Sequence, residues 1–197
     1  MLRSRGTRFV PDPQKAMTVQ QVHEGGYFWM LDRSERESSI LRLATVVPQL
    51  VVITRTDAVS CDLGERLLLR GLPVVVGTAE TGEMPLRAFR SDGVSTLVAS
   101  DNYLSQLGHL EAGLVVHARI ASSRKDYYRR LADVVSPVHI TLVVPEDEKP
   151  ARRLIHHLDK ETVIDLTDDQ AIDVLIDLTE STLPASARSK RRFPLAR

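Results

Sequence analysis

The chain has 197 residues, of which 43% are hydrophobic and 26% are charged, as in an ordinary globular domain. Its single cysteine excludes an internal disulfide, and no apolar run reaches the roughly 20 residues that a membrane-spanning helix needs. The first residues lack the apolar core of a secretory signal, so we expect a cytoplasmic protein with no membrane partner.

The formal net charge is zero, but the charges are unevenly distributed. Residues 1–15 carry a net +3 and residues 186–197 carry a net +5, which leaves −8 for the 170 residues between them. The acidic body argues against nucleic-acid binding over the main surface of the domain. Nucleic-acid binding by the basic ends stays an open alternative. The nucleic-acid-binding candidates of the C-terminal end are Arg188, Lys190, Arg191 and Arg192. A solubilising end and a protein-docking segment are the alternatives for that stretch.

The sequence divides into three parts. We expect an irregular basic arm over residues 1–16, since Pro11 and Pro13 oppose both helix and sheet. A single α/β domain is expected over residues 17–183, followed by a basic flexible tail over 184–197.

The first predicted elements are two strands, 18–22 and 27–31, which flank Gly25-Gly26 and predict a hairpin. The spacing of Ser34 and Glu37 is that of a capping box and predicts a short helix. From there, apolar runs alternate with amphipathic stretches. The further strands are predicted over 50–54, 72–77, 94–99, 139–144 and 162–166.

Helices are predicted between these strands. The first two cover 57–70 and 85–90, a longer helical region runs from about residue 103 to 118, and another covers the surroundings of 127–135. A helix follows residue 150, and a second capping box at 167–170 predicts the last one. This alternation predicts the α/β class, as a three-layer Rossmann-like or flavodoxin-like, open and mostly parallel sheet with an N-terminal hairpin.

In such a sheet, ligands bind outside the carboxyl ends of the strands. The sequence places acids there: Asp32, Asp57 and Asp101, with further acids after the strands that end near residues 144 and 166. If three of them converge, they form an oxygen-ligand site for Mg²⁺ or Mn²⁺. The alternative is that each acid caps the helix that follows it. No phosphate-loop, dinucleotide-binding or serine-hydrolase motif is present.

One segment of the sequence resembles a known family. The stretch LPVVVGTAE resembles the fourth strand of a response-regulator receiver domain, which ends at a switch Thr-Ala pair, here Thr78 and Ala79. The family's phosphate-contacting lysine falls at Ser100, and its phospho-acceptor aspartate falls near Thr56, beside Asp57. The resemblance thus implies a degenerate receiver domain that has lost phosphorylation chemistry.

The same region is also similar to NYN/PIN-type nucleases, through the pattern PLRAFRSDGVSTLVASD. This second resemblance implies that Asp32, Asp57 and Asp101 bind a metal ion.

Two functions follow as expectations. The first is a non-catalytic regulatory or interaction module, which binds a protein partner or a small anionic ligand at the carboxyl edge of the sheet through Asp32, Asp57, Asp101, Thr78 and Ser100. The second is a metal-dependent nuclease or phosphoesterase that uses Asp32, Asp57 and Asp101, or nucleic-acid binding through the basic ends. Enzymatic activity and homo-oligomerisation stay open.

Overall fold

A computed structural model describes residues 17–23, 26–91, 94–158 and 162–166, together with the single residues 173 and 177. Its strands are β1 (Met17–His23), β2 (Gly26–Met30), β3 (Leu50–Thr54), β4 (Val74–Gly77), β5 (Thr96–Ser100), β6 (Leu110–Glu111), β7 (Leu114–His117), β8 (Val134–Val135), β9 (His139–Val143) and β10 (Thr162–Leu166). Its helices are α1 (Glu35–Val46), α2 (Asp57–Leu69), α3 (Met84–Arg90), α4 (Asp101–Leu107), α5 (Arg124–Asp133) and α6 (Glu148–His156), with a 3-10 turn at Pro145–Asp147.

Within these described ranges, eight strands form one sheet in the order β10-β1-β2-β9-β7-β3-β5-β4. The six strands from β2 to β4 in that order pair in parallel. At the other side of the sheet, β1 pairs antiparallel with both β10 and β2. The predicted hairpin and the predicted open, mostly parallel sheet are therefore confirmed. A separate small sheet pairs β6 with β8.

The helices cover both faces of the sheet. Alternate residues of each buried strand point to opposite faces, so each strand packs against helices on both sides. In β3, Leu50 and Val52 pack with residues of α1 and α2, whereas Val51 and Ile53 pack with residues of α3 and α4. Helices α5 and α6 lie on the same side as α3 and α4, around Phe28. All five residues of β3 are buried, as expected for a strand that is covered twice.

The strand order contradicts the resemblance to receiver domains. That resemblance equates β3, β4 and β5 with three consecutive neighbours of a receiver sheet, which follows the flavodoxin-like order. In this protein β5 lies between β3 and β4, and β4 is at the edge of the sheet. Two parallel neighbours, β9 and β7, also separate β2 from β3.

The helical region predicted from residue 103 to 118 is wrong over its second half. Helix α4 ends at Leu107, and Gly108 follows with a φ of 71°, a left-handed conformation that stops a helix. The next residues form β6 and then β7, whose four residues are all buried. Strand β7 lies in the middle of the sheet, between β3 and β9.

The predicted capping box is replaced by a related arrangement. Ser34 stands at the start of α1, but its side chain makes no capping hydrogen bond. Instead the carboxylate of Glu35, rather than that of Glu37, accepts from the backbone N–H of Asp32 at 2.9 Å. The capping box predicted at 167–170, the N-terminal arm and the C-terminal tail lie outside the described residues. None of the helices in the described ranges combines the length and the apolar character needed to cross a membrane.

A close contact fixes α4 against the edge strand. A Cβ atom on Gly77, the last residue of β4, would lie 2.2 Å from Cε1 of the Tyr103 ring. Tyr103 is itself buried in the core between α3, α4 and the sheet. The absence of a side chain at Gly77 thus allows the ring to pack directly on the strand.

A buried ion pair fixes α4 against α5. The guanidinium of Arg130 donates from Nε to Asp101 Oδ1 at 2.7 Å and from Nη2 to Oδ2 at 2.6 Å. The two side chains are only 5% and 19% exposed. Arg130 Nη1 also donates to the backbone oxygen of Arg119 at 2.9 Å, so one side chain connects α4, α5 and the loop after β7.

We expect Gly77→Ala to lower the free energy of unfolding by about 2 kcal/mol, because the buried ring cannot move away from the new methyl group. In a Tyr103→Leu background the same substitution should cost much less, because the ring is gone. Urea denaturation of the four proteins of this double-mutant cycle measures both effects. Equal costs in the two backgrounds would contradict the proposed contact.

We expect Arg130→Met to lower the free energy of unfolding by about 3 kcal/mol, since it leaves the Asp101 carboxylate without its partner. Arg87→Met is the matched control, because Arg87 pairs with Glu83 on the surface, where the side chains are 79% and 69% exposed. Its cost should stay below about 0.5 kcal/mol. Thermal or urea unfolding of both variants compares them directly, and similar costs would mean that the buried pair adds no stability.

Candidate functional site

The six parallel strands end along one side of the sheet, which we call the carboxyl edge. It consists of the loops that follow β4, β5, β3, β7, β9 and β2, in that spatial order. The prediction that the ends of the parallel strands gather along one side is therefore confirmed. In open α/β sheets this is the side where ligands bind.

Asp57 connects three loops of the carboxyl edge. One carboxylate oxygen accepts a short hydrogen bond from the Ser100 hydroxyl, at the end of β5. The other accepts from the backbone N–H of Ala79, after β4, at 3.1 Å. Because Asp57 is the first residue of α2, directly after β3, its side chain holds the ends of β3, β4 and β5 together.

The hydroxyls of this region cap the helices. Ser100 Oγ accepts from the backbone N–H of Tyr103 at 3.1 Å and caps α4. Thr56 Oγ1 accepts from Val59 N–H at 3.4 Å and caps α2. Thr78 lies in a turn closed by Thr81, whose hydroxyl accepts from the Thr78 N–H at 2.9 Å. Of the predicted site residues, the structure thus joins Asp57 and Ser100 directly. Thr78 directly precedes Ala79, whose backbone N–H donates to Asp57.

The three predicted metal-binding acids do not meet. The carboxylate of Asp101 is paired with Arg130. The carboxylate of Asp57 accepts hydrogen bonds from Ser100 and Ala79. Asp32 follows β2, which is three strand positions from β3, or roughly 14 Å at about 4.8 Å per strand. Among the described residues, no group of three or more His, Cys, Asp or Glu side chains could hold a metal ion. The interpretation as a nuclease that uses Asp32, Asp57 and Asp101 with Mg²⁺ or Mn²⁺ is therefore wrong.

Three arginines and two acids lie at the other half of the edge, after β2, β9 and β7. Asp147 is nearly buried and lies 3.4 Å from Arg119 and 3.6 Å from Arg36. Arg33 pairs with Glu146 on the surface at 3.2 Å. Burial lowers the pKa of the Arg36 guanidinium, the nearby positive charge of Arg119 lowers it further, and Asp147 raises it.

Other cations of the edge have no acidic partner within the described part of the chain. Arg55, in the loop between β3 and α2, is exposed, and no ion pair among the described residues includes it. Arg124 and Lys125, in the first turn of α5, are likewise exposed and outside the ion pairs of these residues. The acids of the edge, by contrast, are mostly engaged in hydrogen bonds or ion pairs.

The arginines of the folded body are not among the residues that the sequence predicts for the site. Arg130 and Asp101 are 29 residues apart in the chain, and no local spacing signals their pairing. Arg55 had a usable signal, since it directly follows a buried, mainly apolar strand at the ligand-binding side of the sheet. The basic candidates Arg188, Lys190, Arg191 and Arg192 lie outside the described residues.

No family model matches the sequence, and no curated protein sequence is detectably similar to it. Solved structures do match the fold. A chain in the crystal structure of the E. coli DEAD-box protein SrmB bound to regulator of ribonuclease activity A matches with a TM-score of 0.60 and 15% identity, over 71% of this chain and 88% of that chain. The C-terminal domain of the DEAD-box protein Dbp5 matches with a TM-score of 0.58 and 13% identity, over 76% and 95% of the two chains.

A longer chain matches over less than half of its length. S. cerevisiae Dbp5 L327V bound to RNA and ADP BeF3 has a TM-score of 0.61 and 13% identity, and the match covers 80% of this chain and 46% of that chain. These matches contradict both the receiver and the NYN/PIN resemblance, and with them the receiver-like interaction module and the nuclease as the chain's expected functions. Nucleic-acid binding through the basic ends stays a prediction, because those ends lie outside the described residues. The chain has the fold of the C-terminal, RecA-like domain of DEAD-box RNA helicases.

Proposed function

We propose that this chain is an RNA-binding domain of the RecA-like helicase type. It holds an RNA strand by the sugar–phosphate backbone, across the carboxyl edge of the sheet. The observation that carries the proposal is that exposed cations, without acidic partners among the described residues, lie on the ligand-binding edge of a fold that is also found in a solved structure bound to RNA.

Arg55 is the residue of the edge best suited to contact a phosphate. Its guanidinium is exposed and has no acidic partner among the described residues, so binding a phosphate breaks no ion pair. Arginine offers donors in a planar fork that match phosphate oxygens. The loop that carries it is held by Thr54, whose hydroxyl contacts Ser60 at 2.6 Å and the backbone oxygen of Thr56 at 3.1 Å.

The net charge of the chain does not oppose this proposal. Residues 16–185 carry −8, but attraction of a phosphate depends on the charges within about one Debye length, ~8 Å at physiological salt. Near Arg55, the carboxylate of Asp57 accepts hydrogen bonds from Ser100 and Ala79 and is directed at those groups. The local distribution of charge, rather than its sum, therefore determines whether a polyanion binds at this edge.

We expect Arg55→Ala to weaken the binding of single-stranded RNA by about 1 kcal/mol, roughly fivefold in Kd. The salt dependence of log Kd should also become shallower by about 0.7, the value for one lost phosphate contact. Fluorescence anisotropy with a labelled oligonucleotide, repeated over a series of salt concentrations, measures both quantities.

Arg70→Ala is the matched control. Arg70 is exposed and lies at the opposite end of α2, away from the carboxyl edge. Its substitution removes the same charge but should leave Kd and the salt dependence close to those of the unchanged chain. Equal effects of the two substitutions would mean that RNA responds only to net charge, and no binding by the unchanged chain would refute the proposed function.

A further inference from the structure

One side of helix α5 combines basic side chains with an exposed aromatic ring. Arg124 and Tyr128 are four residues apart, as are Lys125 and Arg129, which places the four side chains on one side of the helix. All four are exposed. Tyr128 is 44% exposed and is the one aromatic residue among the large exposed hydrophobic side chains of the described ranges. The packing of the core does not require a tyrosine there.

The Tyr128 ring contacts two neighbouring side chains. The Cζ atom of Arg124 lies 5.4 Å from the ring centroid, in cation–π geometry. Tyr127 meets the ring edge-on, with centroids 5.9 Å apart and planes at 70°. Tyr127 is buried and packs on Phe28 at a centroid distance of 5.9 Å. The exposed ring therefore packs against the aromatic core of the domain through Tyr127.

The acid of this helix turn pairs with Arg129 and with neither of the other two basic side chains beside the ring. Asp126 accepts hydrogen bonds from the hydroxyls of Ser122 and Ser123, which lower its pKa, and it lies 3.6 Å from Arg129. Arg124 and Lys125 have no acidic partner among the described residues. The surface around Tyr128 thus carries positive charge that a polyanion can neutralise.

This surface adjoins the carboxyl edge. Strand β7 ends at that edge, and α5 begins seven residues after the end of β7 and runs back along the sheet. Arg130, two residues after Tyr128, donates to the backbone oxygen of Arg119 in the loop after β7. An RNA strand on the carboxyl edge therefore has the face of α5 within reach at the end of β7.

We propose that Arg124 and Tyr128 form a stacking platform for one unpaired base of RNA, while Lys125 contacts an adjacent phosphate. This inference rests on the proposed RNA-binding function and specifies its substrate as single-stranded RNA with exposed bases. A flat base can stack on an aromatic ring or on a guanidinium plane, and stacking tolerates every base because each has a π face. In duplex RNA the bases are stacked on one another, so the platform has nothing to bind.

The test compares Tyr128→Leu with Tyr128→Phe in the full chain. Leucine removes the aromatic face and keeps an apolar side chain, whereas phenylalanine keeps the ring. The two probes are a labelled oligouridine and an abasic oligomer of the same length, which has the same phosphates and no bases. We expect Tyr128→Leu to weaken oligouridine binding about tenfold and to leave the abasic oligomer unchanged, with Tyr128→Phe near the parent on both.

The outcomes separate this inference from the function on which it rests. If the chain binds oligouridine but Tyr128→Leu binds it as well as the parent, the platform is refuted and the RNA-binding function stands. If Tyr128→Leu weakens both oligomers equally, the substitution acts on phosphate contacts or on folding, and the platform is again refuted. If the parent binds neither oligomer, both proposals fall. A thermal unfolding curve that matches the parent confirms that each variant is folded.

Discussion

The in-register parallel pairing of six strands is the constraint on which the rest of this structure depends. Each of these strands is covered by helices on both faces, so the pairing buries nearly continuous apolar runs such as Leu50–Thr54. Because the strands point the same way, every crossover leaves the sheet at the same side. The loops at that side are the places where side chains are not needed for the core. The carboxyl edge thus collects polar residues as a direct consequence of how the core is built.

Much of this architecture could be predicted from the sequence. The apolar runs, the hairpin at the start and the helices between strands follow from periodicity, and together they predict an open, mostly parallel sheet. The strand order could not be predicted in the same way, because pairing between β3 and β7 or between β2 and β9 depends on contacts far apart in the chain. Strand β7 was interpreted as part of a helix. Its four residues are too few to show a period, and their burial arises only when neighbours surround them.

The candidate site could likewise be predicted from the sequence only in part. The sequence placed Asp57, Asp101 and Ser100 at the correct edge, because position in a strand–helix alternation is a local property. Their partners are not local. The carboxylate of Asp101 is paired with an arginine from α5, and that of Asp57 receives donors from two other loops. Acids that resemble a metal site in the sequence are thus engaged separately in internal contacts, whereas Arg55 has no acidic partner among the described residues.

The hydrogen bonds of the Asp57 carboxylate order three loops of the carboxyl edge before a ligand binds. One side chain accepts donors from the ends of β4 and β5 while standing at the end of β3, so the three loops are cross-linked before anything binds. Loops that are already ordered lose little conformational entropy on association, and the interaction energy of each new contact is retained in the affinity. Preorganisation of this kind favours a ligand that fits the existing shape over one that requires the loops to rearrange.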